Sequence, residues 1–286
     1  MRAPGTIITC LAAVLFCSLG MVDDARASIS IDSGLTPAAK RWILRTQVRV
    51  MSREAPAGQG DMSMSRLIVP LVIVHGLSSD LTVGARQVYD SRTMTLNGVD
   101  TNTSGPGDLY LFAKYKMLRV NTRAYTLGIA PILGIEPPTG ADGISSDSWD
   151  LYTGLYASGR KGAWALDVNV GYDARGVAGV AQNGADPGDE LGLDLSLSRQ
   201  IPVRGSRRTS LAPVLELTWR TVGANTRAGA ALPNSGETTL RIAPGLKFTV
   251  DSLIIEGLLS IPVAHDPTGQ QLEAGTMGLL GIRWMF

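Results

Sequence analysis

The last segment of the chain, Thr276 to Phe286 (TMGLLGIRWMF), is an alternating apolar strand that ends the chain at an aromatic residue. Because successive side chains of a strand point to opposite sides, Phe286, Trp284 and Ile282 share one face and Arg283 lies on the other. A chain end of this kind is typical of the closing strand of a bacterial outer-membrane β-barrel. Any half-buried strand also alternates, so the prediction depends on finding the other strands of a barrel.

The beginning of the chain has the organisation of a secretory signal peptide. Arg2 gives a weakly basic start, an apolar stretch runs from about Ile7 to Val22, and the Ala-Arg-Ala sequence at 25–27 fits the small-residue cleavage rule. We therefore predict that residues 1–27 are cleaved and that the mature chain begins at Ser28. The alternative is an N-terminal membrane anchor, but this stretch is short for a span, which needs about 20 residues.

Composition excludes several classes of protein. Both cysteines, Cys10 and Cys17, lie in the predicted signal peptide, so the mature chain would have no disulfide and no cysteine-ligated metal. The formal net charge of +1 gives no indication of a nucleic-acid partner. No later run is long and apolar enough for a membrane helix. A mean hydropathy of +0.12 with 33 glycines suits a barrel, in which only every second residue meets lipid.

Twelve candidate strands can be read from the alternation of apolar and polar residues. Alternate residues from Trp164 to Tyr172, for example, are apolar, whereas Asp167, Asn169 and Asp173 fall on the opposite face. A period of two with charges on one face indicates a strand with one wet side. The predicted strands are Arg41–Met51, Leu67–His75, Leu81–Tyr89, Asp108–Met117, Tyr125–Ile135, Trp149–Ser158, Trp164–Asp173, Glu190–Ser198, Leu211–Thr221, Leu240–Val250, Leu253–Val263 and Thr276–Phe286.

Two local features qualify the strand assignment. The second predicted strand is apolar throughout, so the sequence does not assign its faces. Four strands contain an interior proline, at Pro70, Pro131, Pro213 and Pro244. Proline removes a donor from the ladder, so we expect bulges or local breaks at these positions.

The connections alternate in length, as they do in outer-membrane barrels. The long connections, predicted on the outer side, are 52–62, 90–106, 137–148, 174–188, 223–237 and 266–273. The short connections, predicted on the periplasmic side, are 77–80, 119–122, 159–162, 202–208 and 251–252. This topology puts both chain termini in the periplasm.

Aromatic residues near strand ends predict the two membrane interfaces. The predicted girdle consists of Trp42, Trp149, Trp164, Trp219, Trp284 and Phe286, all on the apolar faces of their strands. Core tryptophans of a soluble β-sandwich would have no reason to gather at strand ends, although a sandwich stays an alternative.

Four segments resemble one family of outer-membrane proteins. HGLSSDLTVGA (His75–Ala85) resembles its unit of short turn, Asp and alternating strand, and GPGDLYLFAKYKML (Gly105–Leu118) resembles its G-D segment. PPTGAD (Pro137–Asp142) is similar to its P-T-G loop entry, and GIRWMF to its closing strand. The family is the one named for the meta-pathway of phenol degradation. The resemblance implies a barrel of about twelve strands that passes small organic compounds, and its motifs carry no catalytic chemistry.

Charged residues on the wet faces are the candidate functional residues. The predicted basic lumen residues are Arg41, Arg45, Arg49, Arg86, Lys114, Lys116, Arg241, Lys247 and Arg283. The predicted acidic lumen residues are Asp167, Asp173, Glu190, Asp194, Glu216 and Glu256. Most basic residues fall on strands twelve, one, three and four, and most acidic residues on strands seven to nine. Opposed walls of this kind would orient dipolar solutes in a watery lumen; alternatively, the charges pair and fill the interior.

Enzyme and metal sites find little support in the sequence. Leu71–Ser79 (LVIVHGLSS) superficially resembles the entry of an α/β-hydrolase, but no G-x-S-x-G elbow follows. The two histidines, His75 and His265, are predicted at opposite rims and cannot share a metal ion. The remaining alternatives are a lipid-hydrolase site at His265 with Asp266, and a loop Ca²⁺ site at Asp142, Asp147 and Asp150.

We therefore predict an all-β protein, a transmembrane antiparallel β-barrel of about twelve strands at residues 40–286. A short periplasmic segment at 28–39 precedes it, and because this segment is too short for a folded hatch we expect an open lumen. The predicted location is the outer membrane of a Gram-negative bacterium, reached after secretion to the periplasm.

The predicted function is an outer-membrane channel for passive uptake or efflux of small organic solutes, aromatic ones included. The alternative is a non-conducting barrel whose extracellular loops bind a partner or a surface. The expected partners are outer-membrane lipid, small organic solutes, and the barrel-assembly machinery acting on the C-terminal strand. We expect no enzyme activity, no cofactor, no metal and no nucleic acid.

Overall fold

Strands are the regular secondary structure in the residues that the computed structural model describes, which are 28–57, 61–179, 184–206 and 208–286. Within these residues no helix is long and apolar enough to cross a membrane. The predicted signal peptide at 1–27 lies outside the described residues. The strands are β1 (Trp42–Glu54), β2 (Met62–Gly76), β3 (Leu81–Leu96), β4 (Val99–Pro106), β5 (Tyr110–Tyr115), β6 (Leu118–Asn121), β7 (Tyr125–Glu136), β8 (Ser148–Lys161), β9 (Trp164–Gly179), β10 (Glu190–Arg199), β11 (Ile201–Pro202), β12 (Thr209–Val222), β13 (Thr226–Arg227), β14 (Ala230–Ala231), β15 (Glu237–Val250), β16 (Leu253–Pro267) and β17 (Met277–Met285).

Twelve strands, two of which consist of two consecutive segments each, close into an antiparallel barrel, which confirms the predicted fold. Around the sheet they are β1, β2, β3, β5 continued by β6, β7, β8, β9, β10 continued by β11, β12, β15, β16 and β17. The last strand returns to the first, with Ile43 paired to Met285 and Met51 paired to Met277. Closure leaves no free sheet edge, so backbone groups at membrane depth are paired within the sheet. The C-terminal segment is therefore the closing strand.

The barrel is apolar outside and polar inside. Along β10 the leucines at 191, 193, 195 and 197 are exposed, whereas Asp194, Ser196 and Ser198, which alternate with them, are buried. The side chains with less than 2 % exposure include Lys247 and Glu216. A soluble sandwich buries its apolar faces instead. This distribution excludes the soluble alternative and fits a barrel whose outer surface meets lipid.

Several strands of the barrel extend farther toward the outer side than predicted. β2 begins at Met62 rather than Leu67, and β3 ends at Leu96 rather than Tyr89. The two strands stay in register as far as the Met62–Leu96 pair, and β4 adds a third strand by pairing with β3. Polar pairs stabilise this extension, for example the hydroxyl of Thr93 on the side chain of Asn102. Beyond Tyr89 the outer face of β3 continues with the polar Ser91, Thr93 and Thr95, so a search for alternation stops short of the extension.

The four interior prolines interrupt the ladders, as expected. Beside Pro131 the register slips by one residue, because Lys114 pairs with Ile132 whereas Leu118 pairs with Ile129. Residue pairs are also missing beside the other three prolines. Near Pro70 the gap lies between β1 and β2, and near Pro244 it lies between β15 and β16. Near Pro213 the gap lies where the partner of β12 changes from β10 to β11. Proline has no N–H to donate to the ladder, which accounts for these gaps.

Two motifs noted in the sequence form one unit at the outer side. Asp108, from the G-D segment, accepts the backbone N–H groups of Thr139, Gly140 and Ser146, each at 2.8 Å, and the hydroxyl of Ser145 at 2.7 Å. Burial on its own raises the pKa of Asp108, but these hydrogen bonds outweigh it and hold the pKa below its ordinary value. The G-D carboxylate thus orders the outer loop that begins with the P-T-G motif.

Replacing Asp108 by Asn should loosen this loop without unfolding the barrel. The loss of charge-assisted hydrogen bonds should lower the free energy of local opening of this loop by about 1.5 kcal/mol. Amide hydrogen exchange over 139–146 should therefore accelerate about tenfold at pH 7. Because the folded-state pKa is lowered, this stabilisation is complete above about pH 4 and is lost as pH falls through the folded pKa. The difference in exchange between the wild type and the variant should therefore shrink as pH falls below the ordinary pKa of the carboxyl. Asp142→Asn, an exposed change in the same loop, is the control; equal exchange of wild type and Asp108→Asn at pH 7 would contradict the assignment.

The N-terminal segment does not lie where the sequence predicted. Residues 28–39 were expected in the periplasm, but Ser28, Ile29, Ile31 and Leu35 are buried inside the barrel. The segment is too short to fold by itself, yet nine extended residues span about 30 Å, the thickness of a membrane core. Its backbone groups and hydroxyls also satisfy lumen charges that would otherwise be buried without partners. The expectation of an open lumen is therefore corrected.

Candidate functional site in the lumen

Two carboxylates hold the start of the N-terminal segment inside the barrel. Glu216 on β12 accepts the backbone N–H of Ile29 at 2.6 Å, the backbone N–H of Ser30 at 3.1 Å and the hydroxyl of Ser30. Asp167 on β9 accepts the hydroxyl of Ser28 at 2.7 Å. These donors offset the cost of burying two carboxylates in the lumen.

The middle of the N-terminal segment is bound to other strands of the barrel. Lys114 Nζ on β5 lies 3.1 Å from the carboxylate of Asp32 and donates to the carbonyl of Ser33 at 2.7 Å. The backbone N–H of Gly34 donates to Ser158 Oγ on β8 at 2.8 Å. A Cβ at position 34 would overlap the backbone of β8, so glycine allows this close approach. The segment therefore crosses the lumen rather than lying along one wall.

A cavity of about 460 Å³ lies between this segment and the barrel wall. The residues that line it run from Pro37 and Val74, near the inner rim, to Glu136 and Arg175, near the outer loops. Its volume falls within the range of small-molecule pockets. The lumen is thus narrowed to a cavity that extends along the barrel.

Three arginines, here called the arginine wall, face this cavity: Arg45, Arg49 and Arg86. Arg45 pairs with Val72, and Val72 pairs with Arg86, so the two arginines lie in one row across β1, β2 and β3. With about 4.8 Å between strands, their backbones are about 10 Å apart. The guanidinium of Arg86 also lies 4.6 Å from the centre of the Tyr110 ring.

The acidic wall, formed by Asp173, Glu190 and Asp194, faces the cavity from β9 and β10, across the barrel from β1–β3. Two arginines that sequence analysis missed accompany it. Arg175 binds Glu190 and lies 3.5 Å from Asp173, and Arg220 lies 2.7 Å from Asp194 and 3.2 Å from Glu190. The structure places the two groups on opposite sides, but the acidic wall is largely neutralised by its own arginines.

A buried ion network lies around Glu256, whose side chain is 0 % exposed. Its carboxylate lies 3.2 Å from Arg45 Nε and 3.1 Å from Arg283 Nη2, and accepts the amide N–H of Gln47 at 2.8 Å. Arg160 and Asp167 form a second buried pair at 2.7 Å. In these places the interior charges pair with one another, as the second interpretation of the sequence proposed.

The other predicted basic residues are divided between the lumen and the rims. Lys247 is fully buried inside the barrel. Lys116 lies in an ion pair of 2.6 Å with Asp80, in the turn before β3. Arg241 donates to the hydroxyl of Ser260 at 2.9 Å on the outer part of β16. Arg41 precedes β1 at the inner rim. None of these four side chains lines the cavity.

The aromatic residues predicted for the girdle point outward. The exposed ones are Trp42, Trp149, Trp164, Trp284 and Phe286. Trp219 has the same parity on β12 as the exposed Leu215 and Leu217 but is partly covered. The rings of Trp284 and Phe286 lie 4.5 Å apart at the end of the closing strand.

An apolar and aromatic surface of the lumen was not predicted. The inner face of β2 carries Ile68, Pro70, Val72 and Val74, whereas Leu67, Leu71 and Ile73 are exposed on its outer face. The second predicted strand is thus apolar on both sides. Aromatic residues continue this surface around the cavity, at Tyr110, Phe112, Tyr152 and Tyr156.

Among the described residues, neither histidine is hydrogen-bonded to a serine hydroxyl. His75 stacks on Trp42 at 4.0 Å between ring centres. His265 lies 2.8 Å from Glu237, and its Nδ1 accepts the backbone N–H of Ala274 at 3.1 Å. Across the described ranges, no group of three or more His, Cys, Asp or Glu residues is placed to hold a metal ion.

Comparison with known proteins gives one family and a set of similar folds. The family described as "Putative MetA-pathway of phenol degradation" matches residues 53–259. No curated protein matches the chain.

Among solved structures, an outer membrane channel from Pseudomonas putida F1 is similar over 91% of this chain and 100% of that chain, with a TM-score of 0.68 and 18% identity. The β domain of the Bordetella autotransporter BrkA covers 87% of this chain and 100% of its own, with a TM-score of 0.48 and 15% identity. The first likeness supports the outer-membrane barrel fold, and the second is too weak to carry an argument.

Proposed function

Since the chain belongs to the family described as "Putative MetA-pathway of phenol degradation" and folds as an outer-membrane barrel, we propose that it is a channel for small organic solutes, aromatic ones included. Solutes cross by diffusion, and the N-terminal segment sets the width of the path. The observation that carries the proposal is the cavity, which extends from the inner rim toward the outer loops beside the segment. Its polar, apolar and aromatic surfaces suit amphipathic molecules.

The test is conductance in planar bilayers, together with swelling of liposomes in isosmotic solutions of small organic solutes. The full chain should give discrete current steps and should admit small aromatic alcohols faster than sugars of larger size. No conductance and no swelling, from either the full chain or one that lacks residues 28–36, would contradict a channel.

Charge reversal on the arginine wall should change ion preference. Arg49→Glu with Arg86→Glu replaces two cations beside the cavity by anions, so the reversal potential in a salt gradient should move toward cations. The permeability ratio should change severalfold. Arg208→Glu is the matched control, because Arg208 is exposed in an inner turn. An unchanged ratio in the double variant would mean that ions do not pass this wall.

A non-conducting barrel whose loops bind a partner is the second candidate. The observation that favours it is the N-terminal segment, which crosses the lumen and is bound to β5, β8, β9 and β12. Conductance that appears when residues 28–36 are removed, but not before, would support this candidate for the resting protein.

The protein is proposed to have no enzymatic activity. Within the described residues, the hydrogen bonds of His265 go to Glu237, Arg53 and Ala274, and none goes to a serine hydroxyl. Lipid is the partner of the outer surface. Recognition of the C-terminal strand by the barrel-assembly machinery and cleavage after residue 27 remain predictions.

A further inference from the structure

The arginine wall is incompletely satisfied by the protein. Arg49 donates two hydrogen bonds, of 3.0 and 2.6 Å, and both go to the neutral amide oxygen of Gln47. Arg45 uses Nε on Glu256, while its Nη2 is buried and has no hydrogen-bond partner among the described residues. A buried donor without a partner is costly, by about 1–3 kcal/mol. Arg49 therefore keeps its charge without an ion pair among the described residues, and Arg45 keeps one unused donor.

Like charges gather at this wall. Arg45 and Arg86 both act on Arg49 as like-charged electrostatic neighbours. Carboxylates relieve part of this repulsion, because Glu256 lies 3.2 Å from Arg45 and Glu136 lies 3.4 Å from Arg86 in a partly exposed contact. Among the described residues Arg49 has no ion pair, so an anion placed here would relieve the repulsion that remains around it. A carboxylate suits these guanidinium groups best, because its two oxygens match the planar donor fork of arginine.

Apolar rows lie on both sides of the arginine row. On its periplasmic side, Ile43 pairs with Val74, Val74 with Gly84, and Gly84 with Phe112, which gives an apolar band across four strands. On its outer side, Pro70 pairs with Val88. All these side chains except that of Gly84, which lacks one, line the cavity. A ligand bound by the arginines would therefore rest its remaining atoms on hydrocarbon.

Aromatic rings adjoin the same position. Tyr110 pairs with Arg86 across β3 and β5, and its ring lies 5.6 Å from Phe112 and 6.2 Å from Tyr152. Rings at these separations pack on further aromatic rings by stacking or edge contacts. Arg175 and Arg220 on the far side are already bound to carboxylates, so the arginine wall is the side that attracts the carboxylate of a charged solute.

We propose that the lumen contains a binding site for small aromatic carboxylates, with the carboxylate on Arg45, Arg49 and Arg86 and the ring on the surface formed by Val72, Phe112 and Tyr110. The proposal rests on the proposed channel function for its biological role, but the binding site itself is independent of conduction. The solute bound in the lumen is accordingly an anionic aromatic acid rather than a neutral aromatic compound.

Binding of fluorobenzoate to the full chain in detergent micelles, followed by fluorine NMR, tests the proposal. Fluorobenzamide has the same ring without the charge, and trifluoroacetate has the charge without the ring. Fluorobenzoate should bind at least about tenfold more tightly than either, since each loses one of the two sets of contacts. Equal affinity for fluorobenzamide would overturn the carboxylate site, and equal affinity for trifluoroacetate would overturn its aromatic part.

Variants locate the site. Arg49→Gln should weaken fluorobenzoate binding about tenfold, which is the loss of one charge-assisted contact. Arg175→Gln is the matched control, because it removes the same charge from the same cavity at a guanidinium already bound to carboxylates; its effect should stay below threefold. Heat-modifiable migration in gels reports folding, and Arg86→Gln replaces Arg49→Gln if the latter does not fold. Binding that both arginine-wall variants leave within twofold would overturn the site.

The binding and conductance experiments separate the two proposals. Arginine-dependent binding of fluorobenzoate without any conductance would support the site and reject the channel. Conductance without arginine-dependent binding of fluorobenzoate would support the channel and reject the site.

Discussion

A chain that lacks residues 28–36 is expected to show severalfold higher single-channel conductance than the full mature chain. The segment crosses the lumen and is bound by Glu216, Asp167 and Lys114. Without it, water should fill its place and hydrate these charges, so that the cavity of about 460 Å³ widens into a continuous passage. Chains that begin at Ser28 and at Pro37 can be refolded into the same detergent and compared in planar bilayers.

Ser30→Ala in the longer chain is the matched control, since it removes the hydroxyl bond to Glu216 but leaves both backbone N–H bonds. Its conductance should stay near that of the wild type. Equal conductance of the two chains, both heat-modifiable and therefore folded, would mean that the segment does not restrict the path.

Replacing Glu256 by Gln should destabilise the barrel by about 3–5 kcal/mol, the usual cost of removing one partner of a buried ion pair. The carboxylate is the shared counter-charge of Arg45 and Arg283, and it lies near the buried Lys247. Glutamine keeps the shape but removes the shared counter-charge of Arg45 and Arg283. Unfolding by urea in lipid vesicles, monitored by tryptophan fluorescence, measures the change.

Glu190→Gln provides the comparison, because Glu190 forms its ion pairs where its side chain is 25 % exposed. Solvent screens that site, so its loss should cost about 1 kcal/mol or less. If the two variants lost equal stability, the buried network would not be the stabilising feature assigned to it.

The fold was predictable because the barrel imposes a simple rule on sequence. A strand with lipid on one side and water on the other must alternate, and the closing strand at Met277–Met285 alternates almost without exception. Where a segment escapes the rule, prediction failed. β2 carries apolar side chains on both faces, and beyond Tyr89 the outer face of β3 turns polar with Ser91, Thr93 and Thr95.

Charged lumen residues were found when they lay inside a predicted strand, and missed when they lay beyond its end. Arg160 and Arg175 follow the predicted ends of their strands at Ser158 and Asp173 by two residues each. Arg220 was different, because alternation puts it on the face of Glu216 and could have identified it. The pairing of these arginines with acids depends on neighbouring strands, which sequence spacing does not give.

The N-terminal segment was the largest error, and its cause is physical. Its small and polar residues, with only isolated apolar residues among them, are typical of a solvated tail. Its position depends on Ile29 packing among Val214, Ala243, Leu258 and Leu279, which belong to four distant strands. No local sequence pattern shows that the lumen of the closed barrel is wide enough for this segment and carries charges complementary to it.

Thiol modification of a single cysteine at position 49 tests most directly whether the lumen is the solute path. The chain from Ser28 onward has no cysteine, so Arg49→Cys introduces a unique target beside the cavity. A negatively charged thiosulfonate reagent should reduce the current of this variant in a stepwise manner, and a reducing agent should restore it. Asn97→Cys, in an exposed outer turn, should be labelled with no change in current. Complete labelling of position 49 with an unchanged current would contradict the account, because solutes would then cross elsewhere.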